Sequence, residues 1–160
     1  MQSGKISYAG LGVAVGGVIG FMGVLAHWFS YSYPLNGGTA TVTMSGTADW
    51  TGSVALTASF GAFAFGGAYL LLSDPQLRRL LGVLMGVSAA FLLVMSLFAY
   101  TRIDEAVGVP AAVFSTKAAP GMAISFIGGV IAMVGALLAS KELLASQASE
   151  SEGDSQTVRV

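Results

Sequence analysis

The sequence contains no cysteine, and His27 is its single histidine. The absence of cysteine excludes disulfides, thiol nucleophiles and thiolate metal sites. One histidine cannot supply a multi-histidine metal site or both axial ligands of a haem. Motifs for phosphate binding, nucleophilic catalysis and metal ligation are also missing. We therefore predict that the chain is not an enzyme and has no catalytic residues, metal site or cofactor.

Charged residues are scarce as well. They make up 9% of the 160 residues, and the mean hydropathy is +0.77, whereas soluble domains contain about 25% charged residues. A chain this short cannot hide so much apolar surface in its own core. The net charge of −1 gives no reason to expect a nucleic-acid partner. The sequence therefore predicts a membrane protein surrounded by lipids.

Four apolar segments are long enough to cross a membrane, which takes about 20 residues. They lie at about 8–29, 52–72, 80–100 and 121–139, and none contains Asp, Glu, Lys or Arg. The predicted fold is an all-α membrane protein, a four-transmembrane-helix bundle formed by residues 1–145. Residues 146–160 are polar, serine-rich and acidic, which predicts a disordered cytoplasmic tail.

The basic residues predict the orientation, because Lys and Arg concentrate in cytoplasmic loops. Five of them fall on the side of the two termini and two on the other side: Lys5, Arg78, Arg79, Lys141 and Arg159 against Arg102 and Lys117. We predict a multi-pass protein of the cell membrane with both termini in the cytoplasm. A cleaved signal peptide ending at "VLA" (residues 24–26) is the alternative for the first segment.

Small residues recur four apart in every apolar segment, which lines them along one helix face. Lipid does not drive helices together, so close backbone packing must do so, and small residues permit it. We interpret the ridges as packing seams within the chain, with the first seam facing a partner chain as the alternative. The predicted ridges are Gly12, Gly16 and Gly20; Ala58, Ala62 and Gly66; Gly82, Gly86 and Ala90; and Gly121, Ser125 and Gly129.

The loop after the first segment predicts a small extracytoplasmic β-hairpin between helices 1 and 2. Asn36-Gly37 is a hairpin turn signal, and Thr39–Met44 alternates and is rich in β-branched residues. Thr47 or Asp49 is expected to cap the second helix, because either side-chain oxygen can accept from free N–H groups.

The second outer loop is predicted to be irregular between its two prolines, Pro110 and Pro120. Pro120 suits the first turn of the fourth helix, where its missing N–H costs nothing.

Aromatic and polar residues cluster at the predicted outer face. They form either an interfacial aromatic belt or a docking surface for a quinone, a lipid or a partner subunit. The candidate interaction residues are His27, Trp28, Asp49, Trp50 and Arg102. An outer active site is a further alternative, combining His27 and Asp49 with Asp104 and Glu105. Asp104 and Glu105 are adjacent in the sequence, so their side chains would point in different directions on a regular helix or strand.

The Gly/Ala-rich segments, the hairpin before "GTADWTG", the link "SDPQLRRL" and the acidic tail together resemble small four-helix membrane proteins from high-GC Gram-positive bacteria. The helix–hairpin–three-helix order also resembles claudin-like proteins, although the paired cysteines of that family are absent. The resemblance implies a four-helix membrane fold and supplies no catalytic residue.

The four segments contain hydroxyl groups such as Ser88 and Ser125 but no Asp, Glu, Lys or Arg, which argues against proton-coupled transport. We therefore expect a non-enzymatic accessory or scaffold subunit of a larger membrane complex, respiratory or of the cell envelope. Its partners would be other membrane subunits or further copies of the chain. The alternative is a transporter or lipid-handling protein for a neutral small molecule.

Overall fold

The computed structural model describes residues 7–102 and 115–157, and the side chains of 7–102 and 117–145. Predictions that rest on Lys5, Asp104, Glu105, Pro110 and Arg159 lie outside the described residues. The elements in chain order are α1 (Tyr8–Leu25), β1 (His27–Leu35), β2 (Gly38–Ser45), a 3₁₀ turn (Gly46–Ala48), α2 (Trp50–Leu71), α3 (Pro75–Thr101), β3 (Ser115–Ala118) and α4 (Pro120–Thr157).

Side-chain caps mark where helices begin, because the first N–H groups of a helix have no partner within it. The Asp49 carboxylate accepts from the Thr51 N–H at 3.3 Å, and the Asp74 carboxylate accepts from the Gln76 N–H at 2.8 Å. Pro120 is the first residue of α4. The predicted cap at Asp49 and the predicted place of Pro120 are confirmed.

All four helices are long and apolar enough to cross a membrane. Helix α1 ends at Leu25, short of the predicted 29, because the backbone from His27 onward pairs in a sheet. Helix α3 begins at Pro75 instead of residue 80, since Asp74 caps it earlier than the apolar pattern indicates. The mostly helical architecture with four such helices is as predicted.

The helices form a ring in the order α1, α2, α3, α4. Helix α1 packs against α2 and α4, and α3 closes the ring by packing against the same two helices. Contact across the diagonal between α1 and α3 is slight. The α1–α4 and α1–α2 interfaces therefore mainly decide which small residues contact a neighbouring helix.

Helices α1 and α4 touch backbone to backbone. A Cβ added at Gly16 would lie 2.4 Å from the Ala132 nitrogen, and one added at Gly23 would lie 2.4 Å from the Ser125 nitrogen. The contact is mutual, because a Cβ at Gly121 would lie 2.7 Å from the Gly23 carbonyl oxygen. Only glycine fits at such distances, so this seam depends on residues without a side chain.

A second face of α1 packs equally closely against α2. A Cβ at Gly17 would lie 2.5 Å from the Phe63 nitrogen, and a Cβ at Gly66 would lie 2.7 Å from the Ala14 nitrogen. Ala62 is fully buried on the same side of α2. The glycines of α1 therefore face into the bundle on two sides, toward α2 and toward α4.

The first predicted ridge is not uniform. Gly16 is in close backbone contact, whereas a Cβ at Gly12 would meet the Gly135 Cα at an ordinary 3.4 Å. Gly20 faces the side chain of Leu92 on α3, whose tip would be 2.6 Å from an added Cβ. Glycines spaced four apart in α1 therefore face different neighbouring helices. Each step of four residues turns the position a little further around the helix axis.

The third predicted ridge does not form a close helix contact. Nothing lies within 4 Å of a Cβ placed at Gly86, and a Cβ at Gly82 would meet only the side chain of Leu143, at 3.0 Å. Helix α3 buries larger side chains instead, such as Met85 and Leu92. Interlocking side chains therefore hold α3 in place, so its glycines are not needed for close approach.

The sheet has three strands in the order β2-β1-β3, all antiparallel. Strands β1 and β2 meet at the predicted turn, where Gly37 has a positive φ of 93°, which no other residue of 7–102 and 115–157 adopts. The prediction of a two-stranded hairpin is incomplete. Ser115–Ala118, which lies in the loop expected to be irregular, pairs with the other edge of β1. A third strand satisfies backbone groups that a lone hairpin would leave exposed.

Helix α4 continues to Thr157 and so enters the segment 146–160 that composition predicts to be disordered. That segment contains no proline and a single glycine, Gly153. Extending an existing helix avoids the cost of nucleating a new one. The helical backbone therefore runs past the apolar part of the sequence.

Candidate functional site

The five candidate residues at the sheet end of the bundle do not form one site. Trp28 is fully buried, and its indole N–H donates to the Gly23 carbonyl at 3.0 Å. The Asp49 carboxylate caps α2, accepting from both the N–H and the hydroxyl of Thr51. His27 is exposed at the start of β1. Trp28 is therefore a core residue. Its prediction as an accessible docking residue is wrong.

The other two candidates meet at Phe98. The Trp50 and Phe98 ring centroids are 6.0 Å apart with an interplanar angle of 60°, and the Arg102 Cζ atom lies 5.3 Å from the Phe98 centroid. Trp50 is 55% exposed. Such an edge-to-face stack under a cation ties the start of α2 to the end of α3. Among the side chains of 7–102 and 117–145, no group of three or more His, Asp or Glu could hold a metal.

The opposite end of the bundle contains a polar cluster that the sequence did not predict. The Glu142 carboxylate of α4 accepts from the Ser7 hydroxyl at 2.9 Å and the Tyr69 hydroxyl at 3.4 Å. Arg78 lies 3.8 Å from the same oxygen, with its guanidinium 4.4 Å from the centroid of the Tyr69 ring. Side chains of α2, α3 and the N-cap of α1 therefore converge on one carboxylate of α4, which links all four helices at this end.

Between α2 and α3 lies a groove with a volume of about 620 Å³. Its lining combines hydroxyl groups with phenyl rings and includes no charged side chain: the principal residues are Ser53, Thr57, Ser88, Phe60, Phe65 and Phe91. We call this the α2–α3 groove. At 1.5 Å per residue, its α2 side from Ser53 to Phe65 is about 18 Å long. It runs from the sheet end to beyond the middle of the bundle.

Ser88 differs from the other serines and threonines of the four helices whose side chains the structure describes. It is 9% exposed, lines the α2–α3 groove, and has no hydrogen-bond partner among the described residues. The others donate to main-chain carbonyls or to a carboxylate: Thr51, Ser53, Thr57, Ser59, Ser96, Thr101, Ser125 and Ser140. The Ser88 hydroxyl is therefore available for a hydrogen bond to a molecule in the groove.

Gly61 leaves the Ser88 hydroxyl accessible. A Cβ added at Gly61 would lie 2.9 Å from Ser88 Oγ, so even an alanine methyl group would lie against this hydroxyl. Ser125, the other hydroxyl considered for a solute path, is fully buried in the α1–α4 seam and donates to the Gly20 carbonyl at 3.3 Å. Of these two serines, only Ser88 faces a groove.

Two smaller grooves lack an unpaired buried hydroxyl. One of about 450 Å³ lies between α3 and α4 and includes Ser96, which donates to the Leu92 carbonyl at 2.8 Å. The other, of about 230 Å³, lies between α1 and α2 and includes Ser59, which donates to the Ala55 carbonyl at 2.7 Å. The α2–α3 groove is therefore the strongest candidate for a binding site in the described part of the chain.

The groove can offer one hydrogen bond and three aromatic faces to an uncharged guest. The described residues around it supply no acid, base or metal ligand for a reaction. In comparisons with known proteins, no family model and no curated sequence matches this chain.

Proposed function

We propose that this chain is a non-enzymatic integral membrane protein that binds a neutral lipid in the α2–α3 groove. Its four apolar helices would span the cell membrane with both termini in the cytoplasm. The observation that carries the proposal is Ser88, a residue 9% exposed whose hydroxyl makes no hydrogen bond to the described residues and is accessible from a groove that opens toward the surrounding medium.

The energetic argument depends on the lipid surroundings of the groove. A hydroxyl that faces hydrocarbon without a partner costs about 1–3 kcal/mol, and water cannot compensate for it in the hydrocarbon region of a bilayer. Serine in a membrane helix can donate to a carbonyl of its own helix, as Ser96 does on the same helix. Ser88 makes no such bond, so a guest oxygen would supply the missing partner.

The absence of charge in the groove supports a neutral guest. A phosphate or ammonium headgroup drawn into the groove would be desolvated without a counter-charge, which is costly. The exposed rings of Phe60 and Phe91 at the groove provide apolar and aromatic contact surface. We therefore favour lipid handling over transport of an ion.

Lipid analysis of purified protein tests the proposal. Protein extracted gently from its membrane should retain about one neutral lipid per chain, detected by mass analysis of an organic extract. Gly61→Leu, which fills the groove, should lose this lipid. Gly86→Leu is the matched control, because nothing lies within 4 Å of a Cβ at Gly86. Equal lipid content in the wild type and Gly61→Leu would contradict the proposal.

An accessory or scaffold subunit is the second candidate function, favoured by the edge of the sheet. Among the described strands, β2 pairs with β1 alone, and it contains no proline and no charged residue. Natural edge strands usually carry such protecting residues, because unpaired backbone groups recruit other strands. A strand from a partner subunit could add to this edge.

Native mass measurement after gentle extraction tests this second candidate. The wild type should carry a partner chain, and Thr43→Lys, which places a charge on the edge strand, should release it. A monomer under both conditions, with no partner captured by crosslinking, would exclude the accessory role.

A further inference from the structure

We propose that the guest of the α2–α3 groove is a lipid quinone, held by a hydrogen bond from the Ser88 hydroxyl to a ring carbonyl. This inference rests on the proposed lipid-binding function and adds the chemical class of the ligand. Three observations support it: the depth of Ser88, the rings beside it and the direction of the available hydrogen bond.

The depth of Ser88 excludes the polar groups of ordinary phospholipids. Ser88 is the central residue of the 27-residue helix α3, about 20 Å from either end at 1.5 Å per residue. In a hydrocarbon layer about 30 Å thick, this position lies near the middle. Headgroups and the ester carbonyls beside them stay at the interface, so the oxygen that meets Ser88 must belong to a molecule whose polar group can enter the hydrocarbon.

The rings in the groove favour a flat conjugated guest. Phe60 and Phe65 on α2 and Phe91 on α3 all contribute to the lining. Aromatic rings pack well against one another in stacked and edge-to-face arrangements. At about 620 Å³ the groove exceeds the needs of a two-ring quinone, and its open side would let an isoprenoid tail extend into the bilayer.

The hydrogen-bond inventory of the groove favours a carbonyl over a hydroxyl guest. The Thr57 hydroxyl already donates to the Ser53 carbonyl at 3.0 Å, and the Ser53 hydroxyl donates to the Asp49 carbonyl at 3.3 Å. Ser88 is left as the donor without an acceptor. A quinone carbonyl accepts this proton and brings no donor of its own into apolar surroundings.

Gly61 is the positioning residue in this arrangement. Because a Cβ there would lie 2.9 Å from Ser88 Oγ, its absence leaves room for the carbonyl to approach the hydroxyl. Gly61→Ala should therefore weaken quinone binding while Ser88 itself is retained. Ser88→Ala should weaken it by removing the donor, without introducing a bulky group into the groove.

The experiment uses the full chain in lipid nanodiscs of phosphatidylcholine. The first probe is a 1,4-naphthoquinone with a short prenyl tail, and the second is dioctanoylglycerol, a neutral lipid with ester carbonyls. Native mass measurement counts bound probe, and difference infrared spectroscopy records the quinone carbonyl stretch. We expect one naphthoquinone per chain, with a carbonyl band shifted to lower wavenumber by hydrogen bonding.

Ser88→Ala should reduce naphthoquinone affinity about tenfold and abolish the band shift, since one hydrogen bond lost in an apolar site corresponds to about that factor. Gly61→Ala should have a similar effect, and Gly86→Ala should behave as the wild type.

Two outcomes separate the quinone inference from the proposed function. If dioctanoylglycerol binds with the same dependence on Gly61 and naphthoquinone does not, the quinone assignment is overturned and lipid binding stands. If neither probe binds the wild type, or if both bind Gly61→Ala and Ser88→Ala unchanged, the groove is not a binding site and both proposals fail.

Discussion

Replacing Gly16 with alanine should destabilise the bundle, whereas the same change at Gly12, one helical turn earlier, should not. Both residues belong to the ridge predicted from spacing alone. A Cβ at Gly16 would lie 2.4 Å from the Ala132 nitrogen and 2.6 Å from the Gly128 carbonyl oxygen, both atoms of the α4 backbone. At Gly12 the nearest atom would be 3.4 Å away, which is ordinary contact.

The magnitude follows from the distance that α1 and α4 must separate. Restoring 3.4 Å at Gly16 needs a movement of about 1 Å, and a gap of that size forfeits about a quarter to a half of the dispersion energy of each contact it opens. Overpacking of this kind typically costs about 1–3 kcal/mol. Alanine regains at most about 1 kcal/mol of helix propensity. We expect Gly16→Ala to lower the free energy of unfolding by about 2 kcal/mol, a factor of about 30 in the equilibrium constant.

Titration with sodium dodecyl sulfate in mixed micelles measures this difference, with circular dichroism following the loss of helix. Gly12→Ala should unfold within about 0.5 kcal/mol of the wild type. Gly67→Ala is the matched control, because nothing lies within 4 Å of its added Cβ. If Gly16→Ala unfolds at the same midpoint as Gly12→Ala, close backbone contact between α1 and α4 does not stabilise the bundle, and the packing argument is refuted.

Two further predictions concern the ends of the bundle. Trp28→Phe should lower the free energy of unfolding by about 2 kcal/mol in the same titration, because the Gly23 carbonyl loses its indole donor and the smaller ring leaves a void; an unchanged midpoint would contradict the core role of Trp28. Glu142→Gln keeps an acceptor for Ser7 but removes the charge facing Arg78, so it should cost about 0.5 kcal/mol at low salt and less at 1 M salt, measured by thermal unfolding. A salt-independent loss would rule out an ionic contribution.

The four helices and the starts of α2 and α4 could be predicted from the sequence because each depends on local information, whereas the earlier start of α3 at Pro75 was not predicted. An uncharged run of about 20 residues is sufficient to indicate a membrane-length helix. The Asp49 cap and the start at Pro120 follow from backbone groups within one turn. Local spacing also placed Gly16 on a packing face, although it could not identify the facing helix.

Contacts between distant segments could not be predicted in the same way. The groove depends on Gly61 lying opposite Ser88, and the polar cluster depends on Glu142 reaching Ser7, which is 135 residues away in the chain. Neither pair produces a periodic pattern in the sequence. Trp28 was misassigned for a related reason: a tryptophan at the end of an apolar run is typical of the interface, and only the sheet folding over it makes it a core residue.

The close seams and the groove have a common physical origin in the placement of side chains around the ring of helices. Glycines on two faces of α1 let α2 and α4 approach it until backbones touch. Helices α2 and α3 are joined by only the three residues 72–74, so they are held close at that end. Further along, Phe65 and Phe91 line the α2–α3 groove. The atoms nearest to a Cβ placed at Gly61 belong to the side chains of Ser88 and Phe65 and not to a neighbouring backbone. A groove between two helices is therefore expected where bulky residues flank a glycine that no neighbouring backbone contacts. Ser88 supplies the unpaired donor of the α2–α3 groove.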